Sequence, residues 1–253
     1  TFGIATAHTM FNILNVILFI PFTGPLSVFL TKLVKDSGKS AEKVTKLDKL
    51  MVGTPSFVVG QTKIEVLTMG QNIKEMMFAL EETLAKNEVI SDAKLARLQK
   101  IENDLDLYQK EVTDVNFLIL NKDLTDSMRE ETRKNLEVCD EYETISDYLM
   151  RIAKSIRKIQ DNDIVINDKA RKTLFDLNEN IEMLFREINI SYETKDKERF
   201  IKAIKKANEI TEKFRQARNF HLENVKEGTS AVFSTSYMDI LNHYRRIRDH
   251  IFN

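Results

Sequence analysis

Cysteine is almost absent. Cys139 is the single one in 253 residues, which excludes an internal disulfide and a zinc site built from several cysteines. It also fits a reducing compartment. Proline and glycine are scarce, at three and seven, so the chain has few of the residues that break it into short elements. With 30% charged and 42% hydrophobic residues, that scarcity predicts long amphipathic helices rather than sheet, in one large domain or two smaller ones. The 38 basic and 39 acidic residues leave a net charge of −1. The whole molecule therefore offers no electrostatic argument for nucleic acid. There is no Gly-rich phosphate loop, nucleophile elbow or HExxH motif, and the chain is expected not to be an enzyme.

Charge is missing altogether from Thr1 to Thr31. A helix needs about 20 mainly apolar residues to cross a bilayer. The run from Thr9 through Phe22, continuing past Gly24-Pro25 to Leu30, is long enough, with room for a break between Pro21 and Pro25. A signal peptide would need a basic n-region before it and a small-residue cleavage site after it. A buried core helix is the competing explanation, but such helices seldom run this long without charge. Lys32, Lys35, Lys39, Lys43, Lys46 and Lys49 follow. Lysines just past a span mark the cytoplasmic side, although the same residues would also serve as a solvated linker face. His8, Asn12 and Asn15 share one helical face. His8 and Asn12 are candidates for a transport path, or for hydrogen bonding between helices. The chain has no initiator Met and opens inside an apolar run, so it is expected to be the C-terminal part of a longer protein.

Ala7-His8-Thr9-Met10-Phe11-Asn12-Ile13, with Pro21-Phe22 beyond it, resembles the end of the transmembrane region in bacterial sodium/phosphate cotransporters of the type II-related group. That resemblance places the family's glutamine-serine-rich substrate and sodium motifs upstream of Thr1.

Beyond Gly53 the spacing predicts six helices. Thr54-Pro55 starts the first, which runs to Ala85 with Val66, Met69, Ile73, Met76, Leu80 and Leu84 inward. The second runs from Ser91 to Leu120 on a stripe of Leu98, Ile101, Leu105, Tyr108, Val112, Val115 and Ile119. The third runs from Thr125 to Ile159, with Tyr142, Ile145, Leu149, Ile152, Ile156 and Ile159 on one face. Asn167 or Asp168 caps the fourth, whose stripe is Ala170, Leu174, Leu177, Ile181, Leu184 and Ile188. The fifth runs from Lys195 to Lys226, with Phe200, Ile204, Ala207, Ile210 and Phe214 inward and Gly228 as its stop. The sixth starts at Ser230 and buries Phe233, Tyr237, Ile240, Tyr244, Ile247 and Ile251.

Three helices followed by three more read as an internal repeat. Tyr142-x-x-Ile145-x-Asp147 returns 102 residues later as Tyr244-x-x-Ile247-x-Asp249. Gly70-Gln-Asn72-Ile73 matches Asn178-Glu-Asn180-Ile181 at an offset of 108. Met69-Gly70, Glu102-Asn-Asp-Leu-Asp106 with Glu111-Val112, and the two Tyr-x-x-Ile-x-Asp ends resemble the PhoU family. Arg218-Asn-Phe-His221 resembles the fifth helix of PhoU-like tails on sodium/phosphate cotransporters. The fold class expected is therefore all-α, with one N-terminal transmembrane segment and then a tandem of two three-helix bundles. The expected domains are a membrane segment over 1–34, a basic cytoplasmic linker over 35–53, and repeats over 54–160 and 161–253.

The PhoU resemblance implies a divalent or iron metal ion at Glu/Asp-x-x-x-Asp pairs. The candidates are Glu102 and Asp106, Glu143 and Asp147, and Asp249. Carboxylates at i and i+4 share a face and can share a hard or borderline cation. A solvated helix face explains the same acids. In the second half Arg245 stands where the first has Glu143, and Lys213 follows Glu209. A guanidinium repels a cation rather than ligating it, which puts a second metal site in doubt. Arg245 is expected to pair with Asp249 or with an acid of a neighbouring helix, and His221, His243 and His250 to lie at the surface or bundle edge.

The combined expectation is the C-terminal part of a sodium-dependent phosphate transporter in the bacterial inner membrane, with a cytoplasmic PhoU-like regulatory domain. Its partners would be membrane lipid, the upstream transmembrane domain, phosphate and sodium in the full-length protein, and a second copy of the chain. The alternative is a membrane-anchored signalling helix bundle, for which a receptor coiled coil should show sustained heptads. A third reading, a soluble PhoU-like regulator, conflicts with the uncharged first 31 residues.

Overall fold

The computed structural model describes residues 2–33, 43–225 and 230–252, and the side chains of 6–25, 43–225 and 230–252. Among these residues the regular secondary structure is helical throughout. It divides into two compact units, Thr1–Lys43 and Val44–Asn253.

The first unit contains α1, Phe2–Leu33. The helix continues through Pro21 and Pro25, so the break for which the sequence left room does not occur. Each proline removes one backbone donor, and the Thr23 hydroxyl donates to the Ile20 carbonyl at 2.7 Å nearby. The stretch Thr6–Pro25 is long and apolar enough to cross a membrane. Its large apolar side chains, among them Phe11, Leu14, Ile17 and Phe19, are exposed.

The second unit holds six helices: α2 (Pro55–Lys86), α3 (Asp92–Leu120), α4 (Asp126–Gln160), α5 (Asp168–Thr194), α6 (Lys197–Asn224) and α7 (Ala231–Phe252). Polar side chains start five of them, the Ser230 hydroxyl accepting from the Phe233 amide at 3.4 Å before α7. Ser91 accepts from the Lys94 amide, Thr125 from Met128, Asn167 from Ala170, and Asp196 from Glu198 and Arg199. Each satisfies a first-turn amide that has no partner within its helix. At α2 the Thr54 side chain makes no such bond. There Pro55 starts the helix, because its fixed φ suits the first position.

The helices form two three-helix bundles in tandem. α2, α3 and α4 pack on one another, as do α5, α6 and α7; α2 lies against α5 and α4 against α7. The predicted stripes of α2 and α4 are buried in full, while Ile101, Tyr108, Ala170, Ile188 and Phe233 sit half-buried at the edge. The α6 stripe differs. Phe200 and Ile204 are exposed, and the inward face is Ala203, Ala207, Ile210, Phe214, Ala217 and His221. The Gly228 stop and the Lys226 end expected for this helix lie outside the described residues.

The bundle also holds part of the segment expected to be a linker. Lys35 and Lys39 lie outside the described residues, but from Val44 the chain is fastened down. The Val44 and Thr45 amides donate to the two Glu111 carboxylate oxygens at 3.1 and 2.9 Å. The Lys46 amide donates to buried Glu65 at 3.0 Å, and Leu47 is buried. A short 3-10 turn, Lys49–Gly53, then leads into α2.

The two halves make matching contacts. Asn87 and Lys195, 108 residues apart, end α2 and α5 in the left-handed conformation, with φ of 53° and 59°. Lys63 on α2 donates to the Glu193 carbonyl near the end of α5 at 3.0 Å. Its counterpart 108 residues on, Arg171 on α5, donates to the Leu84 and Ala85 carbonyls near the end of α2 at 2.8 and 3.3 Å. Each basic side chain meets the negative end of the other helix, which holds α2 and α5 antiparallel.

Candidate functional site

Regular helix spacing and the packing of α3 on α4 place Glu102, Asp106, Glu143 and Asp147 close enough for their charges to act on one another. Partial desolvation raises the pKa of Glu102, and Asp106 and Asp147 raise it further. Asp106 is raised by desolvation and then by Asp147. Glu143 is raised by desolvation, then by Asp147 and Asp106. Burial and like charge both disfavour the ionised form, so this face is electrostatically loaded.

These acids do not converge as a ligand set. Asp147 accepts from Arg151 at 2.9 Å, and Glu102 accepts from Gln99. Among the described residues no group of three or more His, Cys, Asp or Glu is arranged to hold a metal ion. The residues as they stand do not fit the metal that the family resemblance implied. Asp249, the fifth candidate, is apart from them on α7, where Arg248 holds it at 2.9 Å. Arg245, expected to pair with Asp249 or with an acid of a neighbouring helix, is exposed on the α6–α7 surface.

The α4–α7 interface gathers a second set of polar groups. Tyr148 lies between His243 and His250, with ring centroids 5.7 and 5.6 Å away. His250 Nδ1 is 2.6 Å from the Glu141 carboxylate. His221, expected at the surface or bundle edge, is buried against Phe233 and Tyr237. Burial lowers the pKa of His221, and lowers that of His243 against the pull of Asp239. His221 Nε2 and His243 Nδ1 are buried without a hydrogen-bond partner.

Three buried tyrosine–asparagine bonds are present, two joining α4 to α5 across the halves and one joining α5 to α7. Tyr142 donates to Asn189 at 2.9 Å, Tyr192 to Asn135 at 2.6 Å and Tyr244 to Asn178 at 3.1 Å. Asn178 in turn donates to the Met77 carbonyl at 3.1 Å. Tyr142 and Tyr244 were visible beforehand through their shared motif, and Tyr192 was not. Asn178 belongs to the Asn178-Glu-Asn180-Ile181 match, but Asn135 and Asn189 carry no spacing signal of their own. Cys139 is buried against Met69, and burial pushes its thiol well above the ordinary range, which leaves it without thiolate chemistry. His8 and Asn12 lie on the uncovered α1 helix, where both are exposed.

No protein-family model matches the chain, and no curated protein matches it. A solved structure does. The phosphate transport system regulatory protein PhoU from Streptococcus pneumoniae superposes with a TM-score of 0.66 at 15% identity, covering 79% of this chain and 92% of that one. A likeness at that identity establishes architecture, and the chain accordingly has a PhoU-like fold.

Proposed function

We propose that this chain is the C-terminal part of a sodium-dependent inorganic phosphate transporter of the bacterial inner membrane, with its PhoU-like bundle as a cytoplasmic regulatory module. The observation that carries this reading is the combination in one chain of two parts. One is a long apolar helix whose side chains are uncovered over Thr6–Pro25. The other is a bundle with the fold of a protein named for regulating phosphate transport. The exposed apolar helix requires lipid or further helices around it. Lys43, Lys46 and Lys49 beyond it agree with a cytoplasmic bundle. The bundle's role is non-catalytic. Its acids lie on regular helices, and its one thiol is buried. His8 and Asn12 are the local contributors to a transport path, with the substrate and sodium groups upstream of Thr1.

The coding sequence upstream of Thr1 tests this. Several uncharged spans with glutamine-serine-rich motifs are expected. A lone span preceded by an extracellular domain would instead favour the membrane-anchored signalling bundle.

A further inference from the structure

The two halves carry different charges at matching helix positions. In the first half, the α3–α4 face carries Glu102, Asp106, Glu143 and Asp147. At the matching places in the second half stand Glu209, Lys213, Arg245 and Asp249, at offsets of 107 for the α6 pair and 102 for the α7 pair; of these Arg245 lines the α6–α7 groove, whereas Lys213 donates to Asn180 on α5. Between α6 and α7 lies a cavity of about 400 Å³. Arg215, Arg218 and Arg245 line it over a floor that includes Phe214, Met238 and Leu241, and no acid is among its lining residues. Arg215 is held by Glu212 at 2.8 Å from outside that lining. Among the described residues neither Arg218 nor Arg245 has a hydrogen-bond or ion-pair partner. Two guanidiniums on facing helices thus present their donors to the groove unused.

We infer that the α6–α7 groove binds an organic phosphate: a phosphate-bearing small molecule with a planar or apolar body, of the nucleotide class. Guanidinium forks match phosphate oxygens in pairs and stack on planar rings. Two unpaired cations with a third beside them suit an anion carrying more than one charge. The floor supplies the complementary requirement. Met238 is half-buried beside the nearly covered Phe214 and Leu241, and its remaining surface gains from an apolar or aromatic group, not from a bare oxyanion. The cavity volume lies within the range of small-molecule sites and exceeds what a lone phosphate ion fills.

The test is calorimetric titration of the full 253-residue chain in detergent with ADP as probe, against adenosine and inorganic phosphate. ADP should bind more tightly than inorganic phosphate, adenosine should not bind, and added salt should weaken the ADP complex. Arg218→Gln and Arg245→Gln should each weaken ADP about tenfold, the equivalent of about 1.4 kcal/mol. Both side chains are exposed and unpartnered, so the variants keep the fold. Arg186→Gln, an equal charge change at an exposed position on α5, should leave affinity within twofold. The inference is overturned if ADP fails to bind at millimolar concentration or if the two groove variants bind it unchanged. Tighter binding of a Glu-rich octapeptide than of ADP at the same arginines would also overturn it, and would make the groove a protein-docking surface. None of these outcomes depends on the transporter reading, because the groove lies wholly within the bundle.

Discussion

Gly60 and Gly70 lie on the same helix, α2, in opposite surroundings. A Cβ added at Gly60 meets nothing within 4 Å, whereas one at Gly70 would come within 2.8 Å of Asn189 Nδ2 and 3.2 Å of Tyr142 Cε2. Asn189 and Tyr142 are buried and bonded to each other, so neither can move aside without losing that bond. Gly60→Ala should therefore stabilise by about 1 kcal/mol through helix propensity. Gly70→Ala should destabilise by about 1–3 kcal/mol through overpacking. Thermal unfolding of the pair reads opposite signs. The α3–α4 acids give a second prediction. The folded pKa values of Glu102, Asp106 and Glu143 are raised, so the folded chain holds these protons more tightly than the unfolded one. Their repulsion is absent below the ordinary carboxylate pKa. It develops as pH rises through the folded values and persists above them. Asp106→Asn should raise Tm by about 1 °C at neutral pH, from about 0.2–0.5 kcal/mol for a relieved like-charge pair, and should leave it unchanged near pH 3.5. An equal shift at both pH values would contradict this origin. At this scale the acids were legible because i and i+4 spacing is fixed within a helix. Arg151 and Gln99, which engage two of them, were not, because side-chain partners follow from rotamers rather than spacing.

At the scale of elements, α2 and α5 hold each other through the paired contacts of Lys63 and Arg171. Arg171 is well covered, with 24% of its side chain exposed, and it serves two carbonyls. Lys63 serves one carbonyl at an exposed site. Arg171→Gln should cost about 1–2 kcal/mol, a few degrees in Tm, and Lys63→Gln less than about 0.5 kcal/mol. Equal losses would show that burial does not set the difference. The helices themselves were readable from apolar spacing and capping residues to within a few residues. The α6 face was not. Ala207, Ile210 and Phe214 are buried as expected, but Phe200 and Ile204, the larger apolar residues, are exposed and Ala203 and Ala217 turn inward. Small side chains there let α6 approach α5 and α7, and a reading weighted by hydrophobicity favours the bulky neighbours one position away. The anchoring of Val44, Thr45 and Lys46, inside the expected linker, was not legible either. Its anchors, Glu65 and Glu111, are acids on two other helices that receive backbone amides, a pairing without sequence periodicity.

At the scale of the molecule, the chain joins two surfaces of opposite character. The bundle buries its stripes of Ile, Leu, Val and Met, whereas the described part of α1 exposes its apolar side chains throughout. The tandem of three-helix bundles was legible because the Tyr142 and Tyr244 motifs repeat, and the 108-residue match of Lys63 with Arg171 shows the same doubling in space. The most direct test of the account is uptake of radiolabelled phosphate. Cells lacking their own phosphate transporters would express the whole gene that encodes this chain and be assayed in sodium and in potassium buffer. The account predicts uptake in sodium well above both potassium and an empty vector. Uptake equal in the two buffers, or no higher than the vector, would contradict it.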